Sequence, residues 1–107
     1  MLTPKTAARP EDPNMSESQA NDALEGFRNQ QIVLDLASPY VVIGTLIGED
    51  QRYLVLDDAD MHDLRDSNTT RELYVLDVHR HGLGANRRRV LVSRSDVVGI
   101  SRLDDVI

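Results

Sequence analysis

A chain of 107 residues, 40% apolar, with one Phe, no Trp, no Cys and a formal charge of −6, has room for one modest core built from Val, Leu and Ile. The lack of cysteine excludes disulfides, thiol nucleophiles and Cys-based zinc sites. The acidic balance excludes a uniformly basic nucleic-acid binder, because neutralising phosphates requires clustered Lys and Arg.

No run approaches the roughly 20 apolar residues of a membrane span, and the first residues lack the apolar run of a secretion signal, so a soluble, cytoplasmic protein without membrane contact is expected. Total charge conceals a segregation. Residues 50–77 hold eight acids against three arginines, a net of −5, whereas residues 78–94 hold five arginines and no acid, a net of +5.

Residues 1–15 carry three of the four prolines among polar residues, with no apolar period, and are predicted to be a disordered tail preceding a single domain over 16–107. Ser16 and Gln19 have capping-box spacing, and Ala20, Ala23, Leu24 and Phe27 follow at helical spacing, which predicts an amphipathic helix over 17–28. Ile32, Leu34 and Leu36 alternate as in a half-buried strand that stops at Ser38-Pro39. Residues 40–48 form a continuous apolar strand in which Gly44 marks a bend or a close backbone approach. Asp50-Gln51 is a tight turn, and residues 53–56 form a third strand, ended by Asp57-Asp58-Ala59-Asp60, whose side chains compete for the backbone.

The stretch after Met61 carries two signals. Leu73-Tyr74-Val75-Leu76 has strand composition, but Thr69 with Glu72 forms a second capping box, Gly82 suits the position just past a helix, and His79 and Arg80 suit its last turn. A helix over 70–81 is the favoured reading. Residues 82–86 then form a loop, and two strands, around Val90-Leu91-Val92 and around Val97-Val98-Gly99-Ile100, complete the chain.

These segments resemble the Sm-like (LSm) family of small barrels. The likeness rests on Ile32-Val33-Leu34-Asp35-Leu36, the glycine-containing strand Val42 to Gly48 with Glu49-Asp50 after it, Leu54-Val55-Leu56-Asp57-Asp58-Ala59-Asp60, and the closing pair Val90-Leu91-Val92 and Ser95 to Ile100. It implies a mainly β fold with short helices. The expected architecture is an Sm-like or SH3-like five-stranded bent barrel with an N-terminal helix and a helical insertion between strands three and four. It also implies copies joined head to tail in a ring, strand four of one on strand five of the next, and single-stranded RNA as a ligand.

In the family, bases are held by an Asp-x-x-Met-Asn stretch after strand two and by an Arg-Gly-x-Asn turn near the end. Here Asp50 matches, but Gln51-Arg52-Tyr53 run straight into Leu54 without an Asn; in the second turn Ser93 and Arg94 stand near the arginine position, the glycine is out of register and Asp96 replaces Asn. The expected pocket is therefore non-standard. Its RNA-binding candidates are Asp50, Arg52, Tyr53, Arg94 and Asp96, with Tyr53 able to stack on a base; the bland alternative makes Tyr53 a core or interface residue and pairs both arginines with acids. Arg87, Arg88 and Arg89 form the sharpest charge feature. They suit RNA phosphates, or else the acidic residues 57–66 of a neighbouring copy.

His62, His79 and His81 with Asp60 and Asp63 are metal-capable, but His79 and His81 are two apart, whereas helical metal pairs use three or four, so no metal or other cofactor is expected. Asp57-Asp58 and Asp104-Asp105 are carboxylate pairs without an accompanying nucleophile or base, and no enzyme is expected. The favoured function is an oligomeric ring protein that binds RNA or forms part of a ribonucleoprotein. The alternative is an assembly module of the same fold that binds protein and no nucleic acid.

Overall fold

The computed structural model describes residues 23–66 and 68–107. The tail expected at 1–15 and the first part of the helix expected over 17–28 lie outside them. The described end of that segment is helical at 23–25 and closes in a turn, with the Phe27 N–H donating to the Leu24 carbonyl at 3.0 Å. Phe27 packs on the core beyond.

Five strands follow: β1 (Gln31–Leu36), β2 (Tyr40–Glu49), β3 (Tyr53–Asp63), β4 (Arg87–Ser93) and β5 (Val97–Arg102), with helix α1 (Arg71–His81) inserted between β3 and β4. They form one antiparallel sheet in the order β4-β3-β2-β1-β5, so the last two strands of the chain are its two edges. This is the mainly β, bent five-stranded architecture expected, helical insertion included.

Two cores explain the strand patterns. Ile32, Leu34, Leu36, Val42, Leu46, Leu54, Leu56, Ala59 and Val92 fill the concave side of the bent sheet. Val33, Val41 and Ile43 point the other way and are covered by Val75 and Val78 of α1 and by Leu103. β2 is apolar on both faces because both faces are buried, which is why it reads as an unbroken run instead of an alternation.

The bend is made where Gly44 meets β3. The β2–β3 register slips between Ile43 and Thr45, and β3 accommodates the slip at Asp58, whose φ of 48° is left-handed. Asp tolerates that region better than most residues, and an extra residue in one strand sharpens the local twist.

Two expectations are corrected here. β3 does not stop at Asp57 but runs on to Asp63. Three of its four acids there have partners: Asp57 takes Arg89 across the sheet, Asp60 the Tyr74 hydroxyl of α1 and Asp63 the nearby Arg65. The N-cap of α1 is Thr70, not Thr69: Thr70 is extended at φ −81°, ψ 166°, and its hydroxyl accepts from the Leu73 N–H at 3.2 Å. At the other end Gly82, at φ 93°, donates its N–H to the Val78 carbonyl at 2.8 Å, and His79, Arg80 and His81 occupy the last turn, as the sequence indicated.

Candidate nucleic-acid interface

The β2–β3 turn is held by Asp50. Its Oδ1 accepts the backbone N–H groups of Arg52 and Tyr53, each at 2.7 Å, while its own N–H donates to the Tyr53 carbonyl at 3.0 Å. The two donated N–H bonds, Arg52 first, hold the Asp50 carboxyl below the usual carboxylate range. An aspartate here closes the turn by mimicking a backbone carbonyl.

The β4–β5 turn, Arg94–Asp96, lies against this one. Arg94 donates its backbone N–H to the Arg52 carbonyl at 2.8 Å and its Nη1 to the Asp50 carbonyl at 2.6 Å. The two turns therefore form a single open cleft of ≈ 350 Å³, lined by Gln51, Arg52, Tyr53, Ser93, Arg94 and Ser95. Tyr53 is 38% exposed at its edge, and the Ser93 and Ser95 hydroxyls lie 2.9 Å apart. An exposed ring in a cleft also lined by two arginines offers stacking and charge to a base and its phosphate.

Of the sequence candidates, Arg52, Tyr53 and Arg94 line this cleft, and Asp50 builds it from behind. Asp96 does not: its carboxylate faces the β1–β2 turn, where Oδ2 accepts the Ser38 hydroxyl at 2.6 Å and Oδ1 the Ser38 N–H at 3.3 Å. Gln51, Ser93 and Ser95 also line the cleft, although none of them was a binding candidate in the sequence. Only their place in two turns that meet marks them.

The arginine triplet begins β4 at the far end of the strand, about 20 Å from Ser93 at the usual rise per residue. Arg89 forms a two-pronged contact with Asp57 of the same chain, at 2.6 and 3.1 Å, and this partnership holds the Asp57 carboxyl below its ordinary range. Directly opposed residues on β3 and β4 thus engage Arg89 within the chain. Arg87 donates to the Asn86 carbonyl at 3.1 Å and borders a second cleft with Tyr40, Met61, His62, Asp63 and Asp66. Arg88 is exposed and makes no ion pair among the described residues.

Several of the metal-capable residues have other partners. The Tyr74 hydroxyl donates to Asp60, and burial, reinforced by that carboxylate, pushes the phenol well above its usual range. His62 stacks on Tyr74 with ring centroids 4.0 Å apart, and His81 lies 3.7 Å from Asp77 on α1. Among the described residues no three His, Asp or Glu side chains gather as a metal-binding group. No helix among them is long and apolar enough to cross a membrane.

Strand order, the bend at Gly44 and the two turns meeting at one end define an Sm-like fold. Three archaeal structures illustrate it. The chain is similar to an Sm protein of Pyrococcus abyssii in complex with a uridine heptamer, at 19% identity over 77% of this chain and 94% of that one, with a TM-score of 0.52. It is similar to an SmAP (LSm) protein of Methanococcus vannielii, at 18% identity over 81% and 99%, TM-score 0.51, and to a heptameric archaeal Sm protein, at 21% identity over 76% and 96%, TM-score 0.50. No protein-family model matches the sequence, and no curated protein matches it. At these identities the likeness is one of fold.

Proposed function

We propose that this chain is a self-assembling Sm-like subunit that binds single-stranded RNA in the cleft between its β2–β3 and β4–β5 turns. The observation that carries the reading is the Arg94 bond to the Asp50 carbonyl, which joins the two turns and sets Arg52, Tyr53 and Arg94 around one opening. The uridine heptamer bound by the Pyrococcus structure and the heptameric state of a second neighbour support it by analogy of fold. Tyr53 stacks on a base and the two arginines face phosphates; Arg87 and Arg88 add positive charge at the other end of β4. Head-to-tail pairing of the β4 and β5 edges joins the copies.

A second reading is a protein-binding assembly module, favoured by the charge of −6 and by an Asp50 carboxylate already accepting from its own turn. Native mass spectrometry of the purified chain with and without nuclease, followed by titration of U-rich and A-rich oligonucleotides across salt, separates the two. RNA binding that weakens steeply with salt supports the first reading. No binding to either oligonucleotide at low salt overturns it.

A further inference from the structure

Half-buried on the convex side of the sheet, the Asp35 carboxylate makes no hydrogen bond or ion pair among the described residues. It lies on β1 two residues after Val33, so both side chains point to the face that α1 covers. An ionised carboxylate drawn partly out of water without a partner is unfavourable, and its place on an otherwise apolar face calls for an explanation.

Asp35 opens into a groove of ≈ 310 Å³ between α1 and the β1–β5 ladder, walled by Val33, Leu73, Leu76 and Val106, with Ser101 beside them. Leu73 is 58% exposed and carries the apolar wall out to the surface of α1. Across the ladder Asp35 is paired with Gly99 of β5, and a Cβ at that glycine would lie 3.7 Å from Asp35 Oδ2. The carboxylate thus lies over a residue that has no side chain to cover it.

The cations nearby are turned elsewhere. Arg71 lines the same groove but directs its Nη2 to the Ser38 carbonyl at 3.5 Å, and Arg102 is held by Asp105 at 3.1 Å. Glu72 also lines the groove and makes no ion pair among the described residues. Two acids against one arginine leave the groove with a net charge of −1.

We infer that this groove receives an arginine of an extended peptide from a partner protein, its guanidinium on Asp35 and its aliphatic neighbours against Leu73 and Leu76. Arginine suits the site on three counts: its planar fork matches the two carboxylate oxygens, its stem packs on apolar walls, and the Ser101 hydroxyl offers a further acceptor. The groove shares no residue with the cleft between the β2–β3 and β4–β5 turns, so the inference stands apart from the RNA reading.

The probe is the peptide acetyl-Ala-Leu-Arg-Leu-Ala-amide, titrated into the full chain and followed by amide NMR. Saturable shifts are expected at Asp35, Leu76 and Ser101, with binding about tenfold tighter than for the same peptide carrying citrulline, which keeps the shape and loses the charge. Asp35→Asn is expected to bring the arginine peptide down to the citrulline level while leaving the citrulline peptide unchanged, a coupling that a purely structural role would not produce. The comparison of the two peptides on the parent chain keeps the inference testable should Asp35→Asn fail to fold. Equal binding of the two peptides to the parent, an arginine preference that survives in Asp35→Asn, or no saturable shift at these amides up to millimolar peptide overturns it. Butylguanidinium alone acting at the same concentrations as the peptide overturns it too, because the groove would then hold a small cation and dock no chain.

Discussion

Gly44 of β2 lies so close to Ala59 of β3 that a Cβ at position 44 would sit 2.8 Å from the Ala59 Cβ and 3.0 Å from its Cα. The second of these atoms belongs to the backbone and cannot swing aside. Gly44→Ala is expected to cost about 1–3 kcal/mol by overpacking, measured by urea unfolding. Because the clash is at the bend, the same variant is expected to slow or weaken assembly. A Gly44→Ala chain as stable as the parent would show that the bend does not depend on this approach.

Helix α1 supplies a test that separates neighbouring threonines. Thr70→Ala removes the side-chain acceptor for the Leu73 N–H and is expected to cost about 1 kcal/mol. Thr69→Ala removes only a 3.4 Å contact with the Thr70 carbonyl and is expected to stay within about 0.5 kcal/mol of the parent. Denaturant midpoints of the two variants compare them directly.

Acid titration should single out Asp63. Hydrogen bonds from the Arg65 side chain first, then from its backbone N–H, hold the Asp63 carboxyl at about 2, below the ordinary value of 3.8. A depressed carboxyl contributes stability that is present above its unfolded value and is lost as pH falls through the folded one, which puts the loss between about pH 4 and pH 2. Carboxyl-carbon NMR is expected to show that low midpoint, and Arg65→Ala is expected to return it toward 3.8. A midpoint unchanged by Arg65→Ala would assign the depression to another cause.

For the proposed RNA cleft, Tyr53→Ala is expected to weaken oligonucleotide binding by about 1–3 kcal/mol, the usual worth of a stacked base. Arg94→Ala should weaken binding too and flatten its salt dependence. Tyr53→Phe keeps the ring and is expected to bind close to the parent. Fluorescence anisotropy at two salt concentrations measures all three.

The positions of β1, β2 and α1 were legible in the sequence because each carries its own period: alternation at Ile32, Leu34 and Leu36, an unbroken apolar run in β2, and Gly82 with its preceding cationic turn in α1. The far half of β3 was not. Asp57, Asp58 and Asp60 are poor strand residues taken alone; the strand carries through them because Asp57 pairs with Arg89, 32 residues away, Asp60 accepts from Tyr74, 14 away, and Asp58 absorbs the register slip in a left-handed conformation opposite Gly44. Thr69, with Glu72 three residues on, is the stronger local signal; the helix nevertheless starts one residue later, with Thr70 extended and capping the Leu73 N–H.

The candidate site divides in the same way. Two turns rich in polar residues, the presence of Arg52, Tyr53 and Arg94 within them, and the segregation of acidic from basic segments all belong to the linear chain. That Arg94 reaches Asp50 across 44 residues, while Asp96 turns to Ser38 and Arg89 to Asp57, depends on which strands become neighbours. Composition and period set what each segment can bury, through short-range sterics and the hydrophobic effect. Which charged side chain is left for a partner follows only once the sheet has closed distant residues on one another, since an ion pair forms between whatever groups the packed backbone brings within a few ångströms.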